Sequence, residues 1–314
     1  MTSKRVLPTL ALSGVIALAT AGTGATTTAS AATQEVVQEN VSQNWAGYVV
    51  GTSDGESFSS VSGSWVEPSA TCTSGDGHAA FWVGLGGSGQ SNSLEQTGTE
   101  VDCTGSGQAT QFAWYELVPS APVKLDLAIH SGDHISGRVT VNGTNVTVAL
   151  SDSTTGASAT RTLRMSDPDT SSAEWIAEAP SQCDQTLQSC QPLDLTDFGT
   201  VNFSDATATA GGHTGTISDS AWSPEAVELG GNDAAGAQPS STNAAGSSFS
   251  VSYTANSADA GGSGDAGSGE GAYPGYGGGG YGGGYPAGYG YGGGYGGYGG
   301  YGGYGYGGAG AYGY

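Results

Sequence analysis

Basic residues are scarce in this chain. Six Lys+Arg stand against 28 Asp+Glu in 314 residues, for a formal charge of −22. Such an acidic chain is repelled by nucleic acid and by anionic membranes. Scarce bases also change behaviour in acid. Once the carboxylates protonate, few side-chain cations remain to repel one another, so a major driver of acid unfolding is weak. Cysteine is rare as well: Cys72, Cys103, Cys183 and Cys190 are the whole set. No C-x-x-C occurs, and the spacings do not form a zinc site. The two nearest-neighbour disulfides, Cys72–Cys103 and Cys183–Cys190, are the expected pairing of the three possible ones. With all four paired, a cysteine nucleophile is excluded. The single long apolar run, residues 6–21, is short for a bilayer span and is flanked by Gly and Thr.

That run reads instead as part of a secretory signal. Lys4 and Arg5 precede it, and Ala29-Ser30-Ala31 supplies an A-x-A cleavage site. Residues 1–31 are therefore expected to be removed on export, leaving a secreted chain with no membrane span and with conditions that permit disulfides. Residues 32–40 form a short polar leader.

Helical periodicity is almost missing from residues 41–256. Short alternating runs separated by Gly, Ser, Asp and Asn take its place, as in Val123-Lys124-Leu125-Asp126-Leu127-Ala128-Ile129. Val139-Thr140-Val141 and Val146-Thr147-Val148 flank Asn142-Gly143, a hairpin signal followed by a slightly longer loop. About two hundred residues of this kind can bury one substantial core. They predict an all-β domain, an antiparallel β-sandwich of two sheets. Beyond Ser257 glycine dominates. Thirteen of the 16 tyrosines lie at or after Tyr273, and no charge follows Glu270. Residues 257–314 cannot bury enough apolar area to offset chain entropy, so the expectation is a disordered tail. Its tyrosines could give weak multivalent contact with cell wall or glycan, or the tail is passive.

The usual nucleophile and metal motifs are absent. There is no G-x-S-x-G, since Gly86-Gly87-Ser88-Gly89 ends in Gln90, and no H-E-x-x-H. Paired D-T-G or D-S-G motifs are also missing. His130-Ser131-Gly132-Asp133-His134 has the look of a metal clamp, but Gly132 and Asp133 favour a turn. No metal or other cofactor is expected.

What remains is carboxylates and amides set among tryptophans. Asn44-Trp45-Ala46-Gly47-Tyr48, Phe81-Trp82-Val83-Gly84-Leu85-Gly86, Leu94-Glu95-Gln96-Thr97-Gly98 and Ala113-Trp114-Tyr115-Glu116 come in that order. Ala173-Glu174-Trp175-Ile176-Ala177-Glu178-Ala179-Pro180 and Asp197-Phe198-Gly199-Thr200-Val201 follow. Alternation puts Glu174 and Glu178 on one strand face with Ile176 between them. It also puts Thr110, Phe112, Trp114 and Glu116 on one face.

This ordered set resembles the eqolisins, the glutamic peptidase family, over about Asn44 to Phe203. The resemblance implies a β-sandwich with a concave substrate face and a catalytic glutamine and glutamate acting on polypeptides. The family's Leu-Gln-Thr-Gly motif is interrupted here by Glu95, and its glutamine corresponds to Gln96. The second acid of the Ala-Glu-aromatic-Ile-x-Glu motif corresponds to Glu178, with Glu174 supporting it or solvated. Glu116 corresponds to a supporting glutamate, with Trp114 beside it in the cleft. Trp45 and Trp82 orient the glutamine, wall the cleft, or pack as plain core. Three family acids are missing: Gly86, Phe112 and Ala179 stand where the family pattern has acidic residues.

The chemistry fits the pair. One carboxyl can take a proton from water and return it to the leaving amine. A neutral amide can donate to the tetrahedral oxygen at any pH. A carboxylate of ordinary pKa is an effective base above roughly pH 4, which suits acid activity. The sequence thus predicts a secreted, acid-active, monomeric endopeptidase. A non-catalytic module binding carbohydrate or cell wall is the alternative, and a glycosidase using Glu116 with Glu174 or Glu178 is a third reading.

Overall fold

The computed structural model describes residues 38–52, 54–72, 75–89, 91, 93–183, 190–230 and 235–255. The expected signal, the tail and most of the leader lie outside them. The described residues form strands and no helix. In chain order these are β1 (Gln38–Ser42), β2 (Trp45–Thr52), β3 (Phe58–Val66), β4 (Gly77–Gly86), β5 (Leu94–Cys103) and β6 (Ala109–Val118). Next come β7 (Val123–Lys124), β8 (His134–Asn142), β9 (Asn145–Asp152), β10 (Ala157–Arg164), β11 (Ser172–Glu178) and β12 (Ser181–Cys183). The last six are β13 (Cys190–Pro192), β14 (Thr200–Ala210), β15 (His213–Thr216), β16 (Trp222–Leu229), β17 (Gly236–Pro239) and β18 (Phe249–Thr254). Gln38, Glu39 and Asn40, expected in the leader, belong to β1.

Sixteen strands make one continuous sheet, in the order β10-β9-β8-β3-β14-β18-β17-β16-β2-β11-β4-β5-β6-β7, with β15 on β14 and β1 on β16. Every ladder is antiparallel except β1 with β16. The small pair β12–β13 forms a second sheet. The sequence points to two separate sheets. Instead, a single sheet curls until its halves pack face to face.

Tryptophans stitch the halves together. Trp65 of β3 donates its indole N–H to Thr99 Oγ1 of β5 at 3.0 Å, and Trp175 of β11 donates to Ser62 O of β3 at 2.9 Å. Gly63 makes room for this. A Cβ there would come within 2.7 Å of the Trp175 ring. The core between the halves joins Val61, Trp65, Val139, Val148 and Leu150 to Phe81, Val83, Leu85, Val101 and Trp175. Each such side chain contributes about 1.5–3 kcal/mol on burial.

Alternation explains β8 and β9. Ile135, Val139 and Val141, with Val146, Val148 and Leu150, point inward, while Ser136, Arg138 and Thr140 face out. Asn142 pairs with Asn145, so the hairpin loop is only two residues, Gly143 and Thr144, with Gly143 at φ 58°. The run from Val123 to Ile129 joins a ladder only at Val123 and Lys124. Leu125, Leu127 and Ile129 are still buried alternately, so the pattern records burial rather than pairing.

The Cys72–Cys103 disulfide is present. The other expected pair falls on Cys183, whose side chain lies outside the described residues. Its backbone faces Cys190 across β12–β13, and Cys190 is disulfide-bonded.

Candidate active site

Strands β2, β11, β4, β5 and β6 lie side by side. Directly opposed residues in antiparallel strands point the same way, so the registers define rows of side chains across the face turned away from the core. One row is Val49, Glu174, Gly84, Gln96 and Glu116. The next is Gly47, Ile176, Trp82, Gly98 and Trp114, and the third is Trp45, Glu178, Ala80, Glu100 and Phe112. All the candidate residues named from the sequence therefore share one face. Gln96 and Glu178 are in different rows, with Trp82 between them.

Small residues let the large ones lie flat. A Cβ on Gly84 would sit 2.9 Å from Trp82 Cζ3, so glycine there makes room for the Trp82 ring, and a Cβ on Gly98 would sit 2.1 Å from Phe81 O and 2.6 Å from Trp82 Cβ. Trp45 meets Trp82 edge-on, with ring centroids 5.0 Å apart. Trp45, Trp82 and Trp114 join Leu94, Ile176 and Val227 in an apolar floor of their own, distinct from the core.

Glu178 is buried and held by two donors. Asn44 Nδ2 donates to its Oε1 at 2.9 Å, and Trp82 Nε1 donates to its Oε2 at 2.8 Å. Trp82 thus orients the glutamate rather than the glutamine. The Trp45 indole N–H makes no close hydrogen bond, but it is near enough to favour the carboxylate. Burial pushes the Glu178 carboxyl up to about 8, with Trp82, Asn44 and Trp45 pulling the other way. The expectation of an ordinary carboxylate is therefore corrected, because the sequence does not reveal desolvation.

Gln96 Nε2 donates to Glu116 Oε2 at 2.8 Å. Its Oε1 is buried and has no hydrogen-bond partner. Burial pushes Glu116 up to about 8, the charge of Glu178 adds to this, and the Gln96 bond opposes it. Glu116 thus bonds to the glutamine and is coupled electrostatically to the glutamate.

Glu174 is neither solvated nor in contact with Glu178. It is fully buried four residues away, beside Gly84, with no hydrogen-bond partner on either oxygen, although Ser172 is close enough to pull its pKa down. Burial still holds it well above the usual carboxyl range. Glu95 points to the core side, accepts from Asp169 N at 3.1 Å, and is pushed up to about 8 by burial. The pleat thereby separates Glu95 from Gln96 and leaves Gln96 on the face with Glu116 and Glu178. Gly86 has a reason of its own: a Cβ there would come within 2.5 Å of Asp169 Cβ, so the acid missing from Gly86 has no room.

Asn44 and Glu100 carry no role in the sequence reading, yet both belong to this face. Asn44 could have been noticed as the polar residue beside Trp45. Nothing local marks Glu100. The His130–His134 segment is a turn, with His130 N donating to Asp133 Oδ2 at 2.7 Å. The three tryptophans do not offer the exposed rings that a carbohydrate module would stack on sugar: Trp45, Trp82 and Trp114 are 7%, 0% and 0% exposed.

Comparison with known proteins gives the family. Residues 43–253 match the Peptidase A4 family. Aspergillopepsin-2 of Aspergillus niger is 32% identical over 202 residues, which is 56% of this chain and 67% of that protein. The crystal structure of scytalido-glutamic peptidase with a transition-state analogue inhibitor superposes with a TM-score of 0.58 at 26% identity, covering 68% of this chain and 98% of that one. SCP-B, an eqolisin in complex with the tripeptide Ala-Ile-His, gives 0.55 at 25% identity over the same shares. With two thirds of its length in the family match, the chain belongs to the Peptidase A4 family, the eqolisins, and is a glutamic-type endopeptidase acting on polypeptides.

Proposed function

We propose that the chain is an exported, monomeric endopeptidase that works in acid, with Glu178 and Gln96 activating water directly. The curled sheet is read as a two-layered sandwich whose outward face on β2, β11, β4, β5 and β6 is the concave substrate cleft. One observation carries the reading. A buried glutamine oxygen without a partner lies on the same face as a glutamate whose two oxygens are held by N–H donors.

Glu116 and Glu178 repel each other's charge, so they ionise as a pair and one proton is retained. Glu178 has two strong donors and Glu116 has one, so the charge settles on Glu178. A water bonded to Glu178 and to Gln96 Oε1 adds a further donor to the carboxylate, and the scheme requires these donors together to bring Glu178 down from the raised value that burial gives it into the acid range. Glu178 takes a proton from that water as its oxygen attacks the peptide carbonyl carbon. The second N–H of Gln96 donates to the resulting oxyanion. Glu178 then returns the proton to the amine nitrogen as the C–N bond breaks. Each role is worth roughly 10²–10⁴-fold in rate. The scheme uses neither a metal nor a covalent intermediate.

Acid operation is supported by the fold. Burial raises Glu67, Glu95, Glu100 and Glu174 outside the pair, so the fold holds these carboxyls protonated and is most stable in acid. Export and the tail's weak contact with wall or glycan rest on the sequence pattern alone.

The test is digestion of a denatured protein across about pH 2–7, the range in which ordinary carboxyls titrate. Pepstatin and a chelator serve as controls. Acid-range cleavage that resists both and is lost in folded Glu178→Gln and Gln96→Ala supports the reading. Full activity in either variant, or none in the folded native chain, removes it.

A further inference from the structure

Beyond the third row of the cleft, the ladder between β4 and β5 continues to His78 and Asp102, which are directly opposed. Glu100 lies two residues before Asp102 and so on the same face. An antiparallel pair can assemble three ligands in this way, because residues i and i+2 are about 7 Å apart and the cross-strand neighbour about 5 Å away. Long side chains close the remaining gap. His78 Nδ1 lies 2.7 Å from Asp102 Oδ1 and 3.8 Å from Glu100 Oε1. One ligand atom from each residue falls within 4.8 Å of the other two.

A hydrogen-bonded His–Asp pair accounts for the shorter distance, and a proton shared between Glu100 and Asp102 would occupy one Glu100 oxygen but leave the other without a partner. Glu100 is 4% exposed and its Oε2 has no hydrogen-bond partner. Such an orphaned buried oxygen is costly unless something positive faces it. The neighbouring cation, Lys124, is seated over the Phe112 ring, 3.5 Å from its centroid, where its charge acts on Glu100 without forming an ion pair with it. The His78 and Asp102 side chains are 25% and 26% exposed, so an ion has a route in from solvent.

We propose that His78, Glu100 and Asp102 form a divalent-cation site at the end of the cleft, taking a first-row ion such as Zn²⁺. His78 Nδ1 and one oxygen from each carboxyl are the protein ligands. One nitrogen and two oxygens suit such an ion, and solvent fills the remaining position of a tetrahedral shell. The site includes neither member of the hydrolytic pair, although Glu100 lies in the same row as Glu178 and feels its charge.

The experiment is calorimetric titration of the purified chain with zinc chloride at about pH 6.5, near the ordinary imidazole pKa. His78→Gln and Asp102→Asn are compared with His213→Gln, which alters the exposed His213–Asp219 pair. Melting curves establish that each variant is folded. The expected result is one ion per chain, bound about tenfold or more weakly by the first two variants and unchanged in the third. Absence of saturable binding by the native chain, or equal binding by folded His78→Gln and Asp102→Asn, overturns the proposal. Cobalt(II) on the native chain needs no variant. Visible bands of a four-coordinate N/O site support the proposal, and the spectrum of the aqueous ion alone overturns it.

Discussion

Replacing Glu67 with glutamine should make the fold less sensitive to neutral pH. Glu67 follows β3 and is buried between the halves of the sheet. Thr99 Oγ1 donates to its Oε2, and Trp65 Nε1 donates to that same hydroxyl. Its Oε1 has no hydrogen-bond partner. Burial pushes this carboxyl up to about 8 from 4.5. A raised folded-state pKa means that the folded chain holds the proton more tightly than the unfolded chain. The stabilisation is therefore complete below about pH 4.5 and is lost as pH rises towards 8. The full shift corresponds to about 5 kcal/mol, of which about 3 kcal/mol is lost by pH 7. Glutamine has the shape of the protonated acid and does not titrate. At pH 4 the variant should match the native chain within about 1 kcal/mol. At pH 7 it should be more stable by about 3 kcal/mol. Urea midpoints read by tryptophan fluorescence at the two pH values give the difference directly. Equal pH dependence in the two proteins would refute the claim that Glu67 is protonated in the fold.

Other consequences are as direct. Asn44→Ala removes a donor to the Glu178 carboxylate, which raises its pKa further. The acid limb of kcat/KM against pH should move up by about one to two units, and an unmoved limb would show that Asn44 does not set the charge of Glu178. Gly98→Ala drives a Cβ into Phe81 O and the Trp82 backbone, neither of which can yield. A loss of about 3 kcal/mol or more is expected in chemical denaturation, and native-like stability would contradict the packing. Cys72 and Cys103 are 31 residues apart, so changing both to alanine should lower stability by about 3–4 kcal/mol through loop entropy. An unchanged denaturation midpoint would show that the bridge constrains little.

Local pattern carried the strand content, the Asn142-Gly143 hairpin and the common face of Phe112, Trp114 and Glu116. These depend only on the two-residue period of a strand. The order of strands did not follow from it. β2 lies between β11 and β16, which are far apart in the chain, and no local signal encodes such pairings. The continuity of the sheet was hidden for the same reason. Buried acids were the other blind spot. Glu67, Glu95 and Glu174 look like surface residues in the sequence, because glutamate is almost never fully buried unless paired. Their burial follows from tertiary packing, and with it the pKa shifts. The ordered motifs put Gln96 and Glu178 forward as candidates, whereas the bond from Asn44 to Glu178 follows only from the pairing of β2 with β11.

The central claim is that Glu178 and Gln96 act on the reacting atoms. Its most direct test is kcat and KM of Glu178→Gln and Gln96→Ala on a fluorogenic peptide, with folding checked by melting. The account predicts loss of kcat by about 10³-fold or more for Glu178→Gln and about 10²–10³-fold for Gln96→Ala, with KM little changed. A folded variant of either residue that keeps its kcat would contradict it.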